Sequence, residues 1–465
     1  MHRRTVIDVA IIGCGPTGAL LGNLLGCRGM RVAIFEKQRE VFTLPRAVHF
    51  DGEAMRLFQS VGLADALVRA TRVNPGMLFK DAGGTTLVDW SRDPKIGPMG
   101  WHESYRFNQP DLERHLRVGL GRFRTVTLRT GVAVHDVSQD ADGVSVVWED
   151  GGTRARYVVA CDGAESTIRR VIGAKLEDLG FQERWLVVDL VLRRERADLG
   201  DYSIQFCDAD APSTYVRGVG DRRRWEFRIS DADPDEFDAA QIWARLARWI
   251  TPDDADLERH AVYTFRSRIA DHWRSGRVFL AGDAAHQMPP FMGQGMGAGL
   301  RDVANLAWKI SAVCNGADPF LLDSYQSERE PNARAFIDLS VDLGRLINQT
   351  AAGSGPAGQM RSIWPKLGPG VGASGAGVGT LVPQVDRADD RAPNGFYALV
   401  RAVAGTELPD VIGGLDWLDT HDIFGAIVRP DGYALASGQD AAEFNSEVER
   451  FLPLISTVPD RNFDA

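Results

Sequence analysis

One stretch near the N-terminus constrains the fold more than any other. Thr5 to Ile12 (TVIDVAII) is short, β-branched and nearly continuous in apolar character, the pattern of a parallel strand buried on both faces. It runs directly into Gly13-Cys14-Gly15-Pro16-Thr17-Gly18, followed by a helical stretch from Ala19 to Arg28 and a second strand from Arg31 to Phe35. Gly13 permits the tight turn, Gly15 lets the backbone approach a pyrophosphate, and Gly18 lets the helix pack closely on the strand. The helix N-terminus, where Pro16 and Thr17 are further cofactor-binding candidates, offers unpaired N–H groups and a positive dipole end to phosphates. Glu36 follows the second strand and can accept hydrogen bonds from a ribose diol, with Lys37 beside it as a further cofactor-binding candidate. The block predicts a site for an ADP moiety and leaves NAD and FAD equivalent.

Two later blocks repeat the strand-then-turn pattern. Tyr157 to Ala160 (YVVA) leads into Cys161-Asp162-Gly163-Ala164-Glu165-Ser166-Thr167. Arg277 to Ala281 (RVFLA) leads into Gly282-Asp283-Ala284-Ala285-His286, and then into Pro289-Pro290-Phe291-Met292-Gly293-Gln294-Gly295-Met296-Gly297. After Gly297 comes a long helical pattern with Leu300, Val303, Leu306, Ala307 and Ile310 on one face.

The three blocks, in this order, resemble the single-component FAD hydroxylases of aromatic rings (group A), nearest to the 3-(3-hydroxyphenyl)propionate hydroxylase and phenol hydroxylase branch. The resemblance implies that Asp283 contacts the flavin ribityl chain, with Gly282 in the same turn. It places Pro290, Gly293, Gly295, Met296 and Gly297 beside the isoalloxazine, and has Asp162 and Gly163 serve FAD and a transient NAD(P)H. It also puts Arg46, in Leu44-Pro45-Arg46, near the flavin, and has Gln109 bond the ribityl chain. Arg46 and Pro290 are thus flavin-adjacent, and no catalytic acid or base is assigned. A surface arginine remains the alternative for Arg46, and a turn-capping carboxylate for Asp283. His286 fits a structural role as well as an acid/base one. The family commonly has Asn where Gly297 stands, so local hydrogen bonding to the flavin is expected to differ. A helix N-terminus at this loop would stabilise negative charge on reduced flavin.

Between the second and third blocks the pattern changes to alternating strands, at Tyr202–Cys207, Thr214–Gly218, Arg224–Ile229 and Ala261–Arg266. An antiparallel sheet with one face on a pocket fits this alternation. Tyr215, Arg217, Trp225 and Phe227 are the candidate substrate residues, with ordinary packing the alternative for each. The expected architecture is α/β. Residues 1–75, 101–178 and 268–345 form a discontinuous Rossmann-like FAD-binding domain with a parallel sheet, and 76–100 with 179–267 form an interleaved antiparallel-sheet substrate domain. A helical and Gly-rich linker covers 346–380. Residues 381–465, with Leu381–Gln384 and Ile427–Tyr433 as markers, resemble a truncated thioredoxin-like tail with a packing or dimer role. The tail has no cysteine, which excludes thiol redox chemistry there.

Composition narrows the function. Lys+Arg 53 against Asp+Glu 63 gives a net charge of −10 with no basic block, against a nucleic-acid partner. No apolar run reaches about 18 residues, so no membrane span is expected. The five scattered cysteines form no CxxC, and His49, His102 and His115 have no metal-ligand spacing, so neither a disulfide framework nor a metal is expected. A reducing, cytoplasmic setting follows. The implied reaction is hydroxylation of a phenolic substrate with O2 and NAD(P)H through a C4a-hydroperoxyflavin, the best guess being a 3-hydroxyphenylpropionate-like compound. A polyketide or antibiotic aromatic is the alternative substrate. A flavin-dependent halogenase is less favoured because the WxWxIP motif is absent, and a non-catalytic FAD-binding protein is the remaining alternative.

Overall fold

The computed structural model describes residues 7–43, 46–208, 212–351, 358–359, 363–372, 375–384, 387–401, 412–413 and 416–463. Thr5 and Val6 of the expected first strand, Leu44 and Pro45, and parts of the expected linker lie outside them.

The first sheet brings the three motif blocks together. The strand Ile7–Ile12 pairs in parallel with Val32–Glu36 on one side and with Gly151–Ala160 on the other, and the latter pairs in parallel with Val278–Leu280. In register, Ile12 lies opposite Ala160, and Ala160 opposite Leu280. Gly13, Cys161 and Ala281 therefore leave the sheet side by side at its carboxyl edge, where open α/β sheets bind ligands. The helix Pro16–Gly26 packs against the helix Gly295–Cys314. The latter is buried all round from Gly297 to Val313, not only on the expected face. It is a central helix, enclosed by the sheet, the first helix and the tail.

The second sheet has nine strands and is mostly antiparallel. Its order is His286–Gln287, Ala255–Ala270, Leu176–Leu192, Arg222–Ile229, Ser213–Arg217, Ser203–Cys207, Gly76–Asp81, Thr86–Ser91 and Gly358–Gln359. Along each strand side chains alternate between two faces. Leu186, Val188, Leu190, Phe206, Tyr215, Trp225 and Phe227 lie on one face, and the helix Ala239–Leu246 covers them through Ile242 and Leu246. Val187, Gln205, Thr214, Val216, Arg224 and Glu226 occupy the other face, towards the first sheet.

The tail is more complete than the expected remnant. Ile412–Gly413, Tyr397–Val400, Gly425–Val428 and Ala434–Gly438 form a four-stranded mixed sheet in that order, followed by the helix Ala441–Ile455. Its apolar residues join the main core: Phe396 meets Trp308 edge-on at 5.5 Å, and Leu435 and Phe444 are part of the same cluster. The described Gly-rich residues before it are fitted against the protein. Cβ atoms at Gly368 and Gly370 would meet the Ser327 carbonyl and the Glu328 carboxylate, each at 2.1 Å. Close approach, rather than linker freedom, accounts for glycine at these two positions.

Arg56 ties the tail to the first domain. Its buried guanidinium donates to Asp389 at 2.6 and 2.9 Å, to the Val382 carbonyl at 2.6 Å and to Tyr397 Oη at 3.0 Å. Breaking a buried pair by removing one partner costs about 3–5 kcal/mol, because the other charge stays behind. Arg56→Ala should therefore lower the thermal midpoint and expose the tail to limited proteolysis before the rest of the chain. Arg56→Lys should rescue only partly, since an ammonium cannot reproduce the fork.

Candidate active site

Between the carboxyl edge of the first sheet and the uncovered face of the second lies a cleft of about 490 Å³. Gly15, Pro16, Thr17, Arg46, Gln109, Gly163, Asp283, Pro290, Gly293, Gly295 and Met296 line it, so these expected cofactor residues converge from five separate stretches of chain. Gly13, Gly18, Glu36, Lys37, Asp162, Gly282 and Gly297 do not face the cleft, and most of them frame it.

The glycines divide by role. Gly13 has φ +97°, and a Cβ there would stand 2.3 Å from the Cys161 carbonyl. A Cβ on Gly18 would stand 2.1 Å from the Gly13 carbonyl, whereas one on Gly15 would meet nothing within 4 Å. Two glycines thus close the turn, while the third leaves the backbone open on the cleft side, as a phosphate-binding loop requires. Pro16 starts the helix with no side-chain cap, so its first N–H groups are free for an anion. Glu36 accepts from the Cys14 N–H at 2.7 Å and from the Gln38 N–H at 2.8 Å, and so holds the loop as well as the second strand's end. Lys37 is exposed.

The second and third blocks interlock behind this loop. The Asp162 carboxylate accepts from Thr167 and Ile168 N–H groups at 2.8 and 3.1 Å, which makes it a turn cap, while Gly163 faces the cleft. Arg169 donates to the carbonyls of Ala284 and Ala164 and so joins the two blocks. Thr17 fills the space between Gly282 and Gly299. Asp283 is exposed on the cleft, and desolvation by the surrounding walls raises its pKa against the opposing pull of Arg46 and His286. His286 is buried and bonds Asp302 at 2.6 Å, and Asp302 also accepts from Arg329 and from the Gly282 N–H, each at 3.0 Å. The histidine therefore supports the Gly282–Asp283 turn through Asp302, and it does not line the cleft.

Arg46 lies on a loop fixed from both domains. The N–H groups of Arg46 and Ala47 donate to Gln109 Oε1 at 3.2 and 2.7 Å, and the Arg46 carbonyl accepts from Arg224 at 2.8 Å. Gln109 Nε2 donates to Glu113, so both ends of this amide are already engaged. Arg224 in turn pairs with Asp189 at 2.7 Å. The neighbouring Glu226 has its pKa raised, burial outweighing the guanidinium beside it.

The four candidate substrate residues lie elsewhere. Tyr215, Trp225 and Phe227 are on the face covered by the helix Ala239–Leu246, with Tyr215 and Trp225 ring to ring at 4.9 Å. Arg217 shares their side of its strand and donates to the carbonyls of Gly218 and Gly220 at its end. Their immediate neighbours Thr214, Val216, Arg224 and Glu226 line the cleft instead. An apolar slot completes it, made of Met77, Phe79, Trp90, Phe291, Met292 and Ile347. His49 and Arg92 also line it and carried no motif to mark them.

The family model described as an FAD binding domain matches residues 6–340. The chain belongs to this family. A probable NADH-specific resorcinol 4-hydroxylase of Rhodococcus jostii (strain RHA1) is 37% identical over 98% of this chain and 97% of its own length. A 3-(3-hydroxy-phenyl)propionate/3-hydroxycinnamic acid hydroxylase of Mycolicibacterium gilvum (strain PYR-GCK) is 39% identical over 75% of this chain. The match spans only 62% of that relative's own length. The flavin-dependent monooxygenase PieE, solved with FAD and substrate, shares the fold at a TM-score of 0.82 and 18% identity, over 98% of this chain and 100% of that one.

The residues present fit FAD: an open glycine loop at a helix start for the pyrophosphate, and a carboxylate and a second glycine loop facing the same cleft. The Gly297 position is explained by Arg301. This buried guanidinium donates to Gln294 Oε1 at 3.0 Å and Glu53 at 2.7 Å, and also bonds Asp51. A Cβ on Gly297 would stand 2.9 Å from Arg301 Nη1 and 3.2 Å from Gln294 Oε1. An asparagine here would displace the guanidinium from Gln294. Gly297→Asn should cost about 1–3 kcal/mol, as overpacked sites do. It should also weaken FAD retention, which flavin fluorescence during dilution would read.

Proposed function

We propose that the protein is an FAD- and NADH-dependent monooxygenase that hydroxylates a small single-ring phenol of the resorcinol type, using O2. The observation that carries this reading is the cleft itself, in which the FAD-binding loops and an apolar slot share about 490 Å³. The slot beside those loops is walled by Met77, Phe79, Trp90, Phe291, Met292 and Ile347, apolar surfaces suited to an aromatic ring. The match to the resorcinol hydroxylase also covers nearly the whole of both chains, whereas that to the phenylpropionate hydroxylase covers 75% of this chain and 62% of the relative.

FAD, when bound, would supply the redox chemistry, namely hydride acceptance from the nicotinamide and transfer of one oxygen atom of O2 to the ring. The protein supplies position, charge and dryness. Gly15 and the first N–H groups of the helix Pro16–Gly26 bind the pyrophosphate. The N-terminus of the helix Gly295–Cys314 gives a positive dipole end beside Gly295 and Met296, where negative charge is stabilised. Met77, Phe79, Phe291 and Ile347 exclude water, so that oxygen transfer competes with loss as peroxide.

The test is NADH oxidation followed by absorbance with resorcinol, 3-(3-hydroxyphenyl)propionate and no aromatic. The product is identified by mass and peroxide is measured in parallel. Resorcinol should stimulate oxidation several-fold and yield a trihydroxybenzene with little peroxide. Stimulation by the phenylpropionate alone would transfer the reading to that substrate class. Absence of an oxygenated product with every phenol would refute it.

A further inference from the structure

Of all residues lining the cleft, His49 and Arg92 alone carry buried side-chain nitrogens without a hydrogen-bond partner among the described residues. Neither His49 ring nitrogen has a partner at full hydrogen-bond geometry, although the Gly293 backbone stands within bonding reach of the ring. Arg92 lies over the Trp90 ring at 4.9 Å and forms no ion pair with any described carboxylate. Other polar side chains of this wall are satisfied: Thr214 donates to Gln205 at 2.7 Å, and Asn74 donates to Ser104 at 2.9 Å. Buried polar groups are normally paired, so two orphans side by side in a cleft point to a ligand that pairs them.

Their position narrows that ligand. His49, Trp90, Arg92 and Met292 stand where the cleft meets a second, small pocket containing Asp51, Trp101 and Glu103. The apolar slot opens on the same spot, and Gly293 of the flavin loop touches His49. A ring lying in the slot would direct a polar substituent at these two side chains, close to the cofactor loop.

We infer that His49 and Arg92 together hold the phenolic oxygen of the substrate, Arg92 favouring its ionised form and His49 hydrogen-bonding it as a neutral imidazole. This rests on the proposed phenol hydroxylation. Arg92 is a desolvated cation with its pKa lowered to about 10, and it remains charged at neutral pH. Burial, then the Arg92 charge, lowers the His49 pKa to about 3, so His49 stays neutral. Asp51 and Arg106 also act on His49, in opposite directions, and Glu103 and Asp51 act on Arg92. Ionisation of the bound phenol releases its proton to the medium, and the oxygen keeps the electron pair that activates the ring.

The experiment uses the FAD-loaded enzyme without NADH and follows 4-nitrophenol, whose phenolate absorbs at longer wavelength than the phenol. Resorcinol and 3-phenylpropionate, which has a carboxylate but no phenol, are bound in parallel by flavin difference spectra. Wild type should ionise bound 4-nitrophenol at lower pH than free solution. Arg92→Met should remove this shift and weaken resorcinol binding by about tenfold, the scale of a lost charge-assisted hydrogen bond. Arg92→Lys should restore part of both. His49→Leu should weaken resorcinol binding while His49→Gln largely retains it, with FAD content unchanged in each variant.

An unshifted probe in wild type, or variants that bind and ionise 4-nitrophenol as wild type does, would overturn the inference alone. So would Arg92→Met weakening 3-phenylpropionate while sparing resorcinol, because Arg92 would then read a carboxylate. Failure of wild type to bind any phenol would overturn both this inference and the proposed function.

Discussion

The guanidinium of Arg301 is the interaction on which the rest of the site depends. It is buried in the central helix and meets Asp51, Glu53 and Gln294 at once. Asp51 caps the helix Gly52–Gln59 by accepting the Ala54 N–H, and Gln294 is the residue from which the central helix starts beside the cofactor loop. Glu53 also accepts from Tyr433 Oη at 3.1 Å, which brings the tail into the same network. Lys309, Arg429, Glu328, Asp431 and Asn305 extend it as a second buried cluster between the tail and the helices Gly295–Cys314 and Ser324–Ala351. Pairs of this kind contribute little net stability against apolar replacements, yet removing one partner is costly. Their effect here is to fix geometry: the loop facing the cofactor cannot shift without disturbing the tail.

The cleft itself follows from two rules of sheet geometry. Parallel pairing in register places the ends of three distant strands side by side, so Gly15, Gly163 and Asp283 face one space. Strand alternation in the second sheet then gives that space an opposite wall and leaves the other face to be covered by a helix. Arg46 bridges the two walls, held by Gln109 from one side and Arg224 from the other.

The sequence made much of this legible, because local pattern and global role coincide in the cofactor half. Strand, glycine turn and helix at Ile7–Gly26 can be read without knowing the partners of that strand. The substrate wall could not be read in this way. Tyr215, Trp225 and Phe227 attract attention as aromatics, but the helix Ala239–Leu246 lies over them and makes their face the core. The cleft face consists of Thr214, Val216, Arg224 and Glu226, one residue along, and only the register decides between the two sets. His49 and Arg92 had no periodic or motif signal; what marks them is unsatisfied burial, which needs coordinates. Gly297 was legible as a departure from its family, but its cause, Arg301, lies one turn along the same helix. The Gly-rich stretch before the tail was misleading for a related reason, since Gly368 and Gly370 serve close approach to Glu328 and its neighbour.

Amide hydrogen exchange in Arg301→Met, compared with wild type in the FAD-loaded state, tests the central claim most directly. Exchange should be faster both at the cofactor loop around Gly293–Gly297 and at Asp431–Ala434 in the tail. The strand Gly143–Trp148, remote from this network, should be unchanged. Acceleration confined to the loop, or to the tail, would show that Arg301 does not couple them, and would contradict the account.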